Sequence, residues 1–116
     1  MPHSVVHWEI AGNDGEKLAG FYRDLFAWNP TTFDERYWMV APDPAGGVGG
    51  GIVQVEGPVP PHVTIYVHVD DIEETLAHVA DLGGRTARGP EPIPGVGRFA
   101  LFEDLAGNVV GLLETA

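Results

Sequence analysis

The apolar residues of this chain fall into short β-branched runs, and at two places they switch to helical spacing. Residues 5–10, "VVHWEI", form an apolar run of strand length. Asn13 or Asp14 can cap a helix, and Glu16 sits where a capping partner would. Beyond it, Leu18, Phe21, Tyr22, Leu25 and Phe26 recur at helical spacing and predict one apolar face. Pro30 disfavours helix at Asn29 and ends that segment. Strands are predicted over 31–34, 36–41 and 51–56, with the turn-rich "PDPAGGVGGG" before the last. The order then starts again. "HVTIYVHV", residues 62–69, reads as a strand, and Asp70 can cap a helix with Glu73 three residues on. Ile72, Leu76, Val79 and Leu82 predict its apolar face, and Gly83-Gly84 its end. Strands are expected over 85–88, 97–103 and 108–114, the first two separated by a "GPEPIPGVG" loop.

The two halves share one β-α-β-β-β order. Asp14 corresponds to Asp71 and Gly51 to Gly111, offsets of 57 and 60. Two units of this length make a duplication, not a stacked array. The expected fold is therefore α+β: tandem βαβββ modules, about 4–56 and 62–115, in one domain spanning 1–116. Their strands would form a curved mixed sheet around a groove, with the helices outside. Strand side chains alternate faces with period two. Val63, Ile65, Val67 and Val69 share one face, expected under the helices as core. His62, Thr64, Tyr66 and His68 share the other, expected in the groove. By the same parity Val6, Trp8 and Ile10 point to the helix, and Val5, His7 and Glu9 to the groove.

Composition narrows the chemistry. The chain has 116 residues, 44% of them apolar, which is enough for a core without staples. It has no cysteine, so disulfides, iron–sulfur clusters, thiolate zinc sites and cysteine nucleophiles are excluded. No apolar run reaches membrane-spanning length, and the start lacks the basic-then-apolar order of a signal peptide. A cytoplasmic protein with no membrane partner is expected. Seventeen acids stand against six bases, a net charge of −11. That disfavours nucleic acid, whose phosphates need a basic face, and it can attract a cationic ligand.

The stretches "VHWEI…D…FYRDLFAW", "IYVHVDDIEETLAHVADLGG" and "PGVGRFALFEDLAGNVVGLLE" together resemble the vicinal oxygen chelate superfamily. That group includes glyoxalases, extradiol dioxygenases, fosfomycin-resistance enzymes and bleomycin-binding proteins. Arg98 and Leu105 stand where its small glyoxalase-like members carry an aromatic residue and a proline. The resemblance implies a metal site with one ligand from each of four strands. His7 matches the first position, but the corresponding later positions fall on Thr64, Gly51 and Gly111. Glycine has no side chain to coordinate, and a divalent site generally needs about three strong N or O donors. No cofactor is therefore expected; a divalent metal held by a rearranged set is the alternative. Gln54 and Glu114 match each other across the repeat, but on the opposite strand face from the glycines.

The candidate site is then His7 and Glu9 for catalysis and Thr64, Tyr66, His68 and Phe99 for ligand binding. An imidazole near neutral pH can act as a base or as a hydrogen-bonding group. It can equally be a structural residue satisfied by Glu9 or a carbonyl. Tyr37, Trp38, Met39 and Leu101 lie on strands near the groove, where aromatics either stack on a ligand or pack in the core. "GGVGGG" lacks the lysine and hydroxyl residue of a phosphate loop and reads as a flexible loop. Three functions fit: a glyoxalase-like protein binding an organic small molecule without the family metal; a metal-dependent lyase or dioxygenase of glyoxalase type; and a drug-sequestering resistance protein binding a cationic compound. A homodimer is expected, because Pro58, Pro60 and Pro61 extend the linker between modules and the sheet edges would otherwise lie open.

Overall fold

In the computed structural model, residues 2–115 are described. The described chain divides into two compact units, one spanning His7–Thr64 and the other combining residues 2–6 with 65–115. Each holds the bulk of one βαβββ module.

In the first module β1 (Val5–Gly12) leads into α1 (Gly15–Phe26), followed by β2 (Thr31–Asp34), β3 (Tyr37–Val40) and β4 (Gly50–Gln54). Asp14 is the N-cap of α1, its carboxylate accepting from Lys17 N at 3.1 Å. Gln54 Oε1 accepts from Gly15 N at 3.0 Å, so a second orphan donor of the helix start is satisfied from the sheet. The helix closes at Ala27, which adopts a left-handed conformation and donates to Arg23 O. The strand order is β2-β3-β4-β1, with β4 parallel to β1 and antiparallel to β3. The core faces α1: Ala19, Val40 and Ile52 are buried, with Trp8, Leu18, Tyr22, Trp28 and Trp38 packed on them. Parity placed Trp8 correctly.

The second module repeats the plan: β5 (His62–His68), α2 (Ile72–Asp81), β6 (Arg85–Ile93), β7 (Gly97–Glu103) and β8 (Val109–Thr115). Its order is β5-β8-β7-β6, with β8 parallel to β5 and antiparallel to β7. The cap of α2 is Asp71, accepting from Glu74 N at 3.0 Å, not Asp70. The internal repeat had already paired Asp71 with the other cap, Asp14. Val69, Ile72, Ala100 and Leu112 form the core, with Leu76 and Phe102 against it.

Further expectations are corrected. First, β6 runs on to Ile93 through Gly89 and Pro90, instead of stopping at 88 for a loop. It is the outer strand of its unit, where prolines do not break a ladder on both sides, and irregularities at Thr86–Arg88 and Arg88–Glu91 absorb the change of register. Second, Val63 and Ile65 are 68% and 43% exposed, while Thr64 and Tyr66 are 5% and 8% exposed. The reason is where the helix lies: α2 packs on β6, β7 and β8, so only the end of the aliphatic face, at Val69, reaches its core. Third, Phe21, Leu25, Phe26 and Leu82 are exposed, so the buried stripe of each helix is narrower than its apolar periodicity. The glycine run also divides: Gly50 and Gly51 are buried β4 residues, not loop. No helix of the described residues is long and apolar enough to cross a membrane.

Candidate functional site

The β1–β4 register sets Trp8 beside Gly50 and Glu9 beside Gly51, and the β3–β4 register sets Trp38 beside Ile52 and Met39 beside Gly51. One face of this sheet therefore carries Trp8, Gly50, Ile52 and Trp38 toward α1. The other carries His7, Glu9, Tyr37, Met39 and Gly51. Both glycines are there because rings lie over them. A Cβ on Gly50 would land in the Trp8 indole, and one on Gly51 would land on the Tyr37 phenol, its oxygen included. Trp8 Nε1 also donates to Val48 O at 2.8 Å, which fixes the loop before β4.

Tyr37 joins the two sequence-predicted catalytic candidates. Its hydroxyl donates to Glu9 Oε2 at 2.8 Å, and His7 Nε2 lies 2.7 Å from the same oxygen. A phenol has one proton. With that proton directed at Glu9, the His7 contact is satisfied when Nε2–H donates to the phenol oxygen, placing the imidazole lone pair on Nδ1. Burial pushes the His7 pKa below its ordinary value, against the opposing pull of the Glu9 carboxylate, so the neutral imidazole is favoured at neutral pH. The three groups are partly buried and form one polar chain on an otherwise apolar and aromatic face; Phe33 packs edge-on to Tyr37 at 5.9 Å between centroids. Thr64, the position corresponding to His7 in the second module, is buried.

In the other unit, Tyr66 lies beside Gly111, which pairs in turn with Leu101 and, one strand on, with Arg88. A Cβ on Gly111 would land in the Tyr66 ring. Phe99 pairs with Leu113, whose other neighbour is His68, so Phe99, Tyr66 and His68 do share a sheet face. Arg88 covers Phe99, its guanidinium 5.3 Å from the ring centroid, and also pairs with Glu91, holding that carboxyl below its usual range. His68 is turned elsewhere. Its Nε2 lies 3.2 Å from Thr115 Oγ1, its carbonyl accepts from His3 Nδ1, and it lines an open depression of about 510 Å³ with Pro2, His3, Ser4, Val6 and Asp70.

Tyr37 is the site residue that sequence reasoning left out. It was visible only as an aromatic on a strand near the groove. Its role emerges once the β3–β4 register brings it across Gly51.

A family model described as the Glyoxalase/Bleomycin resistance protein/Dioxygenase superfamily matches residues 4–112. The chain belongs to this superfamily. A Mycobacterium tuberculosis (strain CDC 1551 / Oshkosh) protein named "Putative glyoxylase CFP32" is 40% identical over 68 residues, 58% of this chain and 26% of that protein. The match thus spans about a quarter of the length of that curated relative. Among solved structures, a variant of homoprotocatechuate 2,3-dioxygenase from B.fuscum superposes with a TM-score of 0.71 at 19% identity, over 97% of this chain and 32% of the dioxygenase. A Streptomyces coelicolor methylmalonyl-CoA epimerase variant in complex with 2-nitronate-propionyl-CoA gives 0.69 at 18% identity, over 97% and 96% of the two chains. At these identities the likeness is one of fold.

The residues present do not fit the metal that the family implies. Of the four corresponding positions, two are glycines lying under tyrosine rings, one is a buried threonine, and His7 is engaged through Nε2. Asp71, Glu73 and Glu114 bring carboxylate oxygens within 4.8 Å of one another, but each has a structural task. Asp71 caps α2, and Glu114 Oε2 accepts from Ile72 N at 2.9 Å. Arg98 grips both glutamates, with Nη1–Glu73 Oε2 at 2.6 Å and Nη2–Glu114 Oε1 at 2.8 Å. The pairing pushes the Glu73 carboxyl down to about 2 and raises the guanidinium further above its usual value. Arg98, a departure from the family pattern, thus serves the start of α2. Gln54 and Glu114, which match across the repeat, prove to be corresponding caps of the two helices. At the other departure, exposed Leu105 sits in a turn built by Asp104, whose Oδ1 accepts from Ala106 N and Asn108 N.

Proposed function

We propose that this chain binds an organic small molecule on the sheet face carrying His7, Tyr37 and Glu9, and does so without the metal of its superfamily. One observation carries this reading: a polar, hydrogen-bonded His7–Tyr37–Glu9 chain set on an apolar and aromatic surface. Ligand sites are built this way, with a few fixed polar groups giving orientation within an apolar lining. Ligand-binding roles for Thr64, Tyr66, His68 and Phe99 form a separate part of the proposal: Thr64 and Tyr66 are buried, at 5% and 8% exposed, and Phe99 lies under the Arg88 guanidinium. A base role for His7, with Glu9 supporting it, is the catalytic form of the same reading. The ligands bound by the fold neighbours, an acyl-CoA analogue among them, supply compounds to try.

A second reading has its own observation. Net charge −11 and the Glu9 carboxylate on that face favour a cationic compound, held rather than transformed. A thermal-shift screen with cationic, neutral and anionic arms, including acyl-CoA and catechol compounds, separates the two. Compounds that stabilise the wild type but not Glu9→Gln or Tyr37→Phe support the site. A set confined to the cationic arm selects the second reading. Equal shifts in wild type and both variants would refute the placement on this face.

We also propose a homodimer in a cytoplasmic setting. The exposed Phe21, Leu25 and Phe26 on α1, at 59%, 56% and 54%, with Val63 on β5, offer apolar surface for a second copy. Light scattering at micromolar concentration tests it. A mass near 12.4 kDa would show a monomer and end the proposal.

A further inference from the structure

The geometry points to Tyr37 as a lock on the metal position of the first module: its phenol oxygen stands where a side chain at residue 51 would project and ties up His7 Nε2. This goes beyond the binding proposal and does not depend on which organic molecule binds.

All the residues of the lock lie within His7–Thr64. A divalent cation is held by lone pairs from about three N or O donors aimed at one point. Gly51 supplies none, and the volume its side chain would enter is filled by the Tyr37 phenol. His7 Nε2 and Tyr37 Oη are 2.7 Å apart, and Tyr37 Oη donates to Glu9 Oε2 at 2.8 Å. The single phenol proton is spent on Glu9, so the His7 contact uses Nε2–H. The nitrogen nearest Tyr37 then has no lone pair to offer a cation. For a metal to enter there, two hydrogen bonds must break and the imidazole must change tautomer. Gly51 and Tyr37 thus form a matched pair. A larger residue at 51 would evict the phenol, and a smaller residue at 37 would open the cavity.

The test uses the intact chain, dialysed against chelator, titrated calorimetrically with Zn²⁺, Ni²⁺ and Mn²⁺ separately. Wild type should show no saturable site. Tyr37→Ala combined with Gly51→Glu opens the volume, releases His7 Nε2 and adds a carboxylate beside Glu9, and should show one saturable Zn²⁺ or Ni²⁺ site where wild type shows none. Adding His7→Ala to that pair should abolish the site. Circular dichroism of each variant accompanies the titrations to confirm folding, and a second measurement on wild type stands apart from them. Nitrogen-15 NMR of the imidazoles should report His7 as the Nε2–H tautomer, unchanged by added metal. One metal per wild-type chain lost on His7→Ala, a tyrosinate-to-iron absorption band with Fe³⁺, or an Nδ1–H tautomer at His7 would each overturn the lock. So would a folded double variant, Tyr37→Ala with Gly51→Glu, that shows no saturable site. Failure of the organic-ligand screen with these results intact would count against the binding proposal alone.

Discussion

Tyr66 should matter more to stability than Ile65, the reverse of what the aliphatic pattern of β5 suggests. Tyr66 is 8% exposed and its ring covers Gly111, whereas Ile65 is 43% exposed and α2 packs chiefly on β6, β7 and β8. Removing a buried aromatic side chain to Ala costs about 3–5 kcal/mol. Ile65→Ala removes three carbons that are little more than half covered, and at about 0.8 kcal/mol per buried methylene it should cost about 1 kcal/mol. Gly111→Ala supplies the internal control. In wild type the new methyl lands in the Tyr66 ring, and overpacking of that kind costs about 1–3 kcal/mol. With Tyr66→Ala the space is open, and replacing a strand glycine should instead stabilise by about 0.5–1 kcal/mol. The double-mutant cycle should therefore show a coupling of about 1.5–4 kcal/mol. Equilibrium urea unfolding, followed by circular dichroism, measures all four variants, with an unchanged slope confirming a common reference state. Ile65→Ala costing more than Tyr66→Ala would refute the face assignment. A Gly111→Ala cost that is the same in both backgrounds would refute the ring-over-glycine account.

The helix starts should respond in parallel. Gln54→Ala and Glu114→Ala each free a first-turn N–H, at about 1 kcal/mol for the neutral acceptor and about 1.5–3 kcal/mol for the charged one, read by urea unfolding. Stability should also fall with acid in two windows. His7 has a folded-state pKa below the ordinary 6.5, so the unfolded chain binds the extra proton; its contribution is present above 6.5 and lost as pH drops below that value. His7→Gln should flatten the stability profile in that range. Glu73, ordinarily 4.5 but held at about 2 by Arg98, contributes above 4.5 and loses that contribution as pH falls toward 2. Glu73 is exposed, so its part should shrink in high salt, which a salt series on Glu73→Gln against wild type would show. An unchanged slope in either variant would remove that group from the account.

Element order, the first helix start and the duplication were legible because they rest on local signals; the second start was read one residue early, at Asp70 instead of Asp71. Asp14, Pro30 and Gly83-Gly84 act on the backbone within a turn of where they stand. What was not legible depends on long-range placement. Periodicity says that Val63 and Ile65 share a face with Val69, and it is right; it cannot say that α2 lies over β6–β8 and leaves them bare. The β6 extension was hidden because prolines read as loop unless a strand is known to be outermost. Gln54 and Glu114 were recognisable as a matched pair but read as a weak ligand pair; their acceptor atoms are used by Gly15 N and Ile72 N, partners 39 and 42 residues away.

The same distinction explains why the candidate site was only half visible. Its polar members, His7 and Glu9, follow from strand parity alone. Tyr37 depends on the register between β3 and β4, which brings residue 39 against Gly51 and lays the ring of residue 37 over it. Registers also expose how far the two modules have diverged. Glu9 and Tyr66 hold corresponding places beside Gly51 and Gly111, and Tyr37 and Phe99 correspond through their pairings with Val53 and Leu113. The first module thus sets a histidine, a phenol and a carboxylate where the second sets a threonine and two aromatic rings. Each glycine is covered by a tyrosine, but from a different strand: Tyr37 reaches Gly51 from the antiparallel neighbour and Tyr66 reaches Gly111 from the parallel one. In each half the space above the glycine is filled by a ring, as packing at interior density requires, and the two halves meet that requirement from different strands.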